Sequence, residues 1–197
     1  MFLTFILEVS YMRIYLRPIT IDDGPNIIRW RNTYKVRNHS FDKRIITLES
    51  NAKFYDEYVK TGRYKQYIAE RIDEDFGVSS YPIATVYLKD FDDGNHRCEL
   101  CVFTSDDAEW NNESQSIAIK LLLDKAFYEY GMHKVFTHVF TSNIDEISLM
   151  KNSGFTEEAV LKEEATDLEG NYVDITRLAV LNKDYAKQRI SDDITDA

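Results

Sequence analysis

The sequence is poor in the residues that characterise disulfide-rich, metal-dependent and linker-rich proteins. Its 197 residues include two cysteines, three prolines and seven glycines. Cys98 and Cys101 form a lone C-x-x-C, whereas a zinc site of this type needs a second pair of ligands. The four histidines are scattered along the chain. The sequence therefore predicts no metal, and we interpret the cysteines as strand residues of a protein in a reducing compartment.

Long apolar runs and an excess of positive charge are also lacking. No run approaches the roughly 18 apolar residues of a membrane span. The net charge of −10 argues against general affinity for nucleic acid or anionic membranes. Residues 1–11, "MFLTFILEVSY", lack a basic region and a small-residue cleavage site. We therefore expect a cytoplasmic protein with an N-terminal extension at 1–11, one domain at 12–185 and a polar C-terminal tail at 186–197.

The pattern of apolar residues predicts a mixed α/β fold, in the sense of α+β. Strand-like segments occur at 13–20, 64–70, 81–88, 97–104, 134–140, 156–164 and 172–181. The clearest helix has one apolar face of 3.6-residue period, formed by Ile119, Leu122, Leu123, Ala126, Phe127 and Tyr130. Thr47 can cap an earlier helix, and a short helix is predicted at 142–155. Because three strands follow one another without a helix, we expect a mixed, mostly antiparallel sheet of about seven strands with helices on both faces.

The order of elements and several motifs resemble the GCN5-related N-acetyltransferase (GNAT) superfamily, in particular its ribosomal-protein, spermidine and amino-sugar acetyltransferases. The resemblance covers roughly 12–185 and is carried by "LRPITIDD", "IIRWRN", "PIATVYL", "AEWNNESQS", "KNSGFTEEAVLKE" and "GNYVDITRLAVL". It implies a gap between the fourth and fifth strands, in which acetyl-CoA pairs with main-chain groups. The residues it implies for this co-substrate are Cys101, Val102, Phe103, Asn111, Asn112, Glu113, Ser114, Gln115, Ser116 and Asn143.

The turn expected to hold the pyrophosphate, "EWNNESQS" at 109–116, contains no glycine. Glu113 and Gln115 occupy the positions of the family's small residues, which removes conformational freedom. A carboxylate about 5 Å from a phosphate charge, at an effective dielectric of ~20, is repelled by about 3 kcal/mol. Two interpretations stay open. The turn is either an altered CoA site with Glu113 turned to solvent, or a polar helix cap that binds no ligand.

Acetyl transfer to an amine needs a path for the amine proton and a polarised thioester. Glu99, on the strand beneath the expected thioester, is the candidate general base; a solvent-facing strand acid is the alternative. Met150 stands where many relatives have a tyrosine that acts as the general acid, and methionine cannot donate a proton. Glu146 matches a serine used in the ribosomal-protein branch and is a second catalytic candidate, unless it is a helix-surface glutamate.

The resemblance also implies where the acceptor binds. The candidate substrate residues are Arg31, Arg37, Tyr172 and Asp174. We expect an acetyl-CoA-dependent N-acetyltransferase in which a primary amine of a small molecule, amino sugar or peptide N-terminus attacks directly in a ternary complex. The alternative is a catalytically degenerate GNAT-fold protein with a ligand-binding or regulatory role. The acceptor's identity is not specified by the sequence, and a homodimer is left open.

Overall fold

A computed structural model of the chain describes residues 14–73, 79–102 and 105–195 and contains one seven-stranded sheet. The strands are β1 (Ile14–Pro18), β2 (Lys65–Asp73), β3 (Ser79–Asp92), β4 (Arg97–Val102), β5 (Lys134–Phe140), β6 (Thr156–Thr166) and β7 (Tyr172–Leu181). Their order is β1-β2-β3-β4-β5-β7-β6. Every neighbouring pair is antiparallel except β4 and β5, which are parallel. The predicted mixed, mostly antiparallel sheet is confirmed.

Six α-helices accompany the sheet in the described part of the chain. They are α1 (Gly24–Arg31), α2 (Tyr34–Asn38), α3 (Leu48–Phe54), α4 (Asn112–Asp124), α5 (Ile144–Asn152) and α6 (Asn182–Thr195). The helices α3 and α4 each continue into one π-helical turn. Thr47 caps α3 as predicted, because its hydroxyl oxygen accepts a hydrogen bond from the Ser50 amide at 3.2 Å.

The predicted apolar face of α4 packs into the main core. Ile119, Leu122 and Leu123 are fully buried there. The π-helical turn after α4 ends at Glu129, and Gly131 just beyond it has a φ of +67°, a conformation that glycine adopts without strain. Burial of this face fixes the start of α4, and with it the turn at 109–116, relative to the sheet.

The parallel strands β4 and β5 separate part-way along their length. Their pairing joins the first three residues of each strand and ends at Glu99 and Phe136. Within the described residues, no ladder pair links Leu100–Val102 to Thr137–Phe140. The main-chain groups that face this gap are therefore open to another extended chain, which confirms the predicted splay.

The ends of the chain add less to the site. Residues 1–11 and Phe103 lie outside the described residues. The helix α6 continues into the segment expected to be a polar tail, as far as Thr195. The division into extension, domain and tail stays a prediction. None of the helices in the described part of the chain is long and apolar enough to span a membrane.

Candidate functional site

A cavity of about 510 Å³ opens where β4 and β5 part. The end of the cavity at the gap is lined by Glu99, Cys101, Val102, Thr137, His138 and Glu146. The segment from α1 to the start of α3 adds Arg31, Lys35, His39, Phe41, Asp42 and Arg44 to the lining, and Phe41 lies against the ring of His138. The cavity thus joins the gap between the strands to the helices expected to hold the acceptor, and it contains both predicted catalytic residues.

Glu99 is held at the gap by two basic side chains. It is 5% exposed, its Oε1 lies 3.0 Å from His138 Nδ1, and its Oε2 lies 2.9 Å from Lys89 Nζ. Burial alone would raise the pKa of Glu99, but the hydrogen bond from His138 and the charge of Lys89 lower it overall. Conversely, burial would lower the pKa of Lys89, and Glu99 helps to raise it overall. Glu99 is therefore ionised at neutral pH, and each of its carboxylate oxygens already has a basic partner.

His138 is the functional candidate that the sequence analysis missed. An ionised carboxylate only accepts hydrogen bonds, so His138 must donate to Glu99 from Nδ1, and in the neutral ring Nε2 is the proton-accepting nitrogen. The ring lines the cavity with its side chain 20% exposed, and Phe41 and Phe136 pack against it edge-on. A neutral imidazole oriented by a carboxylate is suited to accept a proton.

The two cysteines are both free, and they lie on opposite faces of β4. Cys98 is buried in the core, and burial raises the pKa of its thiol to about 12. Cys101 lines the cavity beside Tyr87, and burial raises the pKa of both groups. Among residues 14–73, 79–102 and 105–195, no group of three or more His, Cys, Asp or Glu side chains is arranged to hold a metal ion.

Asn143 and Glu146 are joined by two hydrogen bonds at the start of α5. Asn143 Oδ1 accepts a hydrogen bond from the Glu146 amide at 3.4 Å, and its Nδ2 donates to Glu146 Oε2 at 2.6 Å. Glu146 keeps some accessible surface, yet its carboxyl group is enclosed by enough protein that burial raises its pKa to about 7. A large fraction of Glu146 is therefore protonated at neutral pH.

The turn at 109–116 contains the start of α4, and side chains of the turn itself cap this helix. Asn111 Oδ1 accepts hydrogen bonds from the amides of Glu113 at 3.0 Å and Ser114 at 3.2 Å. Gln115 Nε2 donates to the Trp110 carbonyl at 2.9 Å. The side chain of Glu113 is exposed, as one of the two interpretations expects. None of the six predicted residues Asn111, Asn112, Glu113, Ser114, Gln115 and Ser116 lines the cavity just described.

The four predicted substrate residues do not all line the cavity. Arg31 lines the cavity and is 7% exposed. Arg37 is outside the lining and donates from Nε to the Lys43 carbonyl at 2.9 Å. Tyr172 is 72% exposed, and Asp174 is bound to Lys162 Nζ at 2.7 Å. The structure thus brings Arg31 to the catalytic candidates, while the roles of Arg37, Tyr172 and Asp174 stay predictions.

Comparison with known proteins agrees with this geometry. A model of the acetyltransferase (GNAT) domain matches residues 16–176. The probable N-acetyltransferase YjcK of Bacillus subtilis (strain 168) is 23% identical over 181 residues, which cover 87% of this chain and 95% of that protein. Spermidine N-acetyltransferase from Vibrio cholerae in complex with CoA and spermine is 21% identical, with a TM-score of 0.78 over 88% of this chain and 98% of that chain. A dodecameric structure of the same enzyme in an intermediate state is 20% identical, with a TM-score of 0.71 over 87% of this chain and 95% of that chain.

The matched residues contain both sides of the gap between β4 and β5, the Glu99–His138 pair and Asn143. At identities near 20% the solved structures show a shared fold. The domain match extends over most of the sequence, from β1 to β7. The chain therefore belongs to the GNAT family of acetyltransferases, which take their acetyl group from acetyl-CoA.

Proposed function

We propose that the protein transfers the acetyl group of acetyl-CoA directly to a primary amine bound in the cavity, with His138 as the general base. The observation that carries this proposal is the Glu99–His138 pair, 3.0 Å apart, at the point where β4 and β5 separate. The gap supplies main-chain groups for the extended arm of acetyl-CoA. The cavity supplies room for an acceptor next to that arm.

Each bond and proton of the transfer has a place in this arrangement. An ammonium acceptor gives one proton to His138 Nε2 and becomes a neutral amine, which forms the new C–N bond at the thioester carbon. Main-chain amides of β4 near Cys101 and Val102 stabilise the oxyanion. As the C–S bond breaks, the thiolate of CoA takes a proton from Glu146, the cavity acid with a pKa of about 7. The nitrogen of the new C–N bond gives its second proton back to Glu146, and His138 releases the first proton to solvent. The products are the amide and CoA.

Glu99 acts in this scheme as a positioning residue. Its hydrogen bond fixes the tautomer of His138 and stabilises the imidazolium that forms when the amine loses its proton. Lys89 keeps Glu99 ionised and so preserves it as an acceptor. This assignment differs from the expectation that Glu99 itself is the base, because both of its carboxylate oxygens are already occupied by basic partners.

Replacement of His138 tests the proposal. We expect His138→Gln to lower kcat by roughly a hundredfold to ten-thousandfold, because glutamine can donate to Glu99 but cannot take a proton. Calorimetry should show little change in acetyl-CoA affinity, since the ring does not hold the co-substrate. His133→Gln, an exposed position just before β5, is the matched control and should retain full activity.

Glu99→Gln and Glu99→Asp complete this experiment. We expect the glutamine variant to lower kcat with an unchanged acetyl-CoA affinity, and the aspartate variant to recover part of the loss. Full kcat in His138→Gln would contradict the assignment of the base. Acetyl-CoA binding without acetylation of any amine would instead support the catalytically degenerate alternative.

A further inference from the structure

A buried glutamine presents a side-chain oxygen to the cavity. Gln66, on β2, is 6% exposed and lines the cavity. Its Nε2 donates to Thr85 Oγ1 at 3.0 Å. Within residues 14–73, 79–102 and 105–195, no donor meets Gln66 Oε1, and this oxygen is not fully enclosed by protein. A buried acceptor atom that keeps accessible surface beside a cavity is suited to bind a ligand there.

Thr85 fixes the direction of this side-chain amide. The fully buried Thr85 hydroxyl donates its single hydrogen to the Tyr67 carbonyl oxygen at 2.9 Å, so its own oxygen can only accept. Gln66 must therefore meet Thr85 with Nε2, and Oε1 is left as the acceptor on the cavity side. Gln66 thus provides an uncharged hydrogen-bond acceptor that is held in one orientation.

Gln66 is the first of four side chains that cross the sheet toward the proposed base. It lies opposite Tyr87 in the pairing of β2 with β3, and Tyr87 lies opposite Cys101 in the pairing of β3 with β4. The parallel register of β4 and β5, continued past Glu99, places His138 across the gap from Cys101. All four residues line the cavity.

This row sets the length of a ligand that touches both of its ends. Three spacings of roughly 4.8 Å separate the strand of Gln66 from the strand of His138. Because the two side chains extend over the cavity from opposite ends, a ligand on the order of 10 Å long reaches from one to the other. An elongated acceptor therefore fits the row, with its amine at His138.

The row suits an uncharged donor better than a second charged amine. It contains no carboxylate, and Tyr87 and Cys101 are neutral because burial raises the pKa of both groups. The carboxylates of the described lining have partners: Asp42 with Arg44, Glu99 with Lys89 and His138, and Glu146 with Asn143. An ammonium group that meets only the neutral Gln66 would lose its hydration without a compensating charge.

We propose, building on the acetyltransferase function above, that Gln66 is a specificity-determining residue that accepts a hydrogen bond from an uncharged hydroxyl or amide N–H group of an elongated acceptor. The acceptor lies along the row from Gln66 to His138, with its primary amine at His138. Holding the acceptor at its far end orients the amine for attack.

Amines of one chain length with different terminal groups test this proposal. Aminohexanol ends in a hydroxyl, aminohexanamide in an amide, diaminohexane in a second ammonium, and hexylamine in a methyl group. With acetyl-CoA, we expect kcat/KM of aminohexanol or aminohexanamide to exceed that of hexylamine by about threefold to tenfold. Diaminohexane should not exceed hexylamine once its two amines are counted. The hydroxyl and amide arms distinguish the two kinds of donor.

Two variants of Gln66 separate its role from the general shape of the cavity. Gln66→Met keeps the side-chain length, removes the acceptor oxygen, and should reduce the preference to less than about twofold. Gln66→Glu, which is nearly isosteric, adds a carboxylate and should shift the preference to diaminohexane. Gln188→Met makes the same change on α6, outside the cavity lining, and should keep the wild-type preference.

Three results would overturn the assignment of Gln66: use of hexylamine as good as that of both uncharged donors, a wild-type preference for diaminohexane, or an unchanged preference in both Gln66 variants. In each case the acetylation of any of these amines leaves the acetyltransferase function standing. If acetyl-CoA neither binds nor gives its acetyl group to an amine, the function fails and the assignment fails with it.

Discussion

Glu146 is a cavity carboxyl group whose protonation state changes near neutral pH. It stands on α5, one helical turn before Met150, which cannot donate a proton. The enclosed carboxyl group of Glu146 has a pKa near 7 instead of 4.5. Below that pH it can protonate the departing thiolate, and above it the site holds another negative charge.

We predict that kcat of the wild type declines as pH rises through about 7, because Glu146 then loses its proton. Glu146→Gln should lower kcat by roughly tenfold to a hundredfold and remove that decline, as pH profiles of both proteins would show. Asp145→Asn, an exposed neighbour on the same helix, is the control and should keep the wild-type profile.

The same titration of Glu146 lowers the free energy of unfolding as pH rises. The folded state holds the Glu146 proton more tightly than the unfolded chain does. The stability that this proton gives to the folded state is therefore complete below pH 4.5 and is lost as pH rises through about 7. Chemical unfolding of Glu146→Gln should lack this loss. Parallel pH–stability curves for the wild type and the variant would contradict the raised pKa.

Sequence reasoning found the acids of the site more readily than its histidine. The resemblance to the family points to Glu99 and Glu146, and both line the cavity. His138 shares a face with Glu99 only because the parallel register places Glu99 opposite Phe136, two residues before the histidine. That register depends on long-range pairing, which one sequence does not display.

The start of α4 decides how the chain can hold a pyrophosphate. The amides of Glu113 and Ser114 already donate to Asn111 Oδ1, so a phosphate must displace this side chain to use them. The repulsion calculated for an inward Glu113 does not apply in this conformation, because the side chain is exposed. The obstacle at this turn is therefore the cap, and the missing glycines matter less than the sequence indicates.

We predict that Asn111→Ala destabilises the ligand-free protein by about 1 kcal/mol through loss of the cap. The same variant should tighten acetyl-CoA binding by up to about tenfold, because the two amides become available without competition. Glu113→Gln, at an exposed position, is the control and should change affinity by less than about threefold. Thermal unfolding and calorimetry measure both effects. Unchanged or weaker binding in Asn111→Ala would show that the pyrophosphate does not use these amides.

The sequence predicts the helices and strands well where its apolar periodicity is strong. The buried face of α4 and the seven strands follow from the spacing of apolar residues, although β3 runs from Ser79 to Asp92, beyond the predicted 81–88. Two features had no local signal. The gap between β4 and β5 is a property of pairing, and α6 continues through residues whose composition indicated a polar tail.

Taken as a whole, the molecule is an acidic protein whose candidate site lies around one cavity. The seven-stranded sheet brings the gap, the Glu99–His138 pair and residues of α1 and α2 around one space of about 510 Å³. The family match and the fold agree on an acetyltransferase. The proposed acetyl transfer depends most on acetyl-CoA lying in the gap between β4 and β5.

Hydrogen exchange with and without acetyl-CoA tests this claim most directly, because it reports on the main-chain amides of the gap. With saturating millimolar acetyl-CoA, we predict that exchange slows by about tenfold or more in Leu100–Val102 and Thr137–Phe140, the two segments that face each other without pairing. Unchanged exchange in both segments under those conditions, or protection confined to other parts of the chain, would contradict the account.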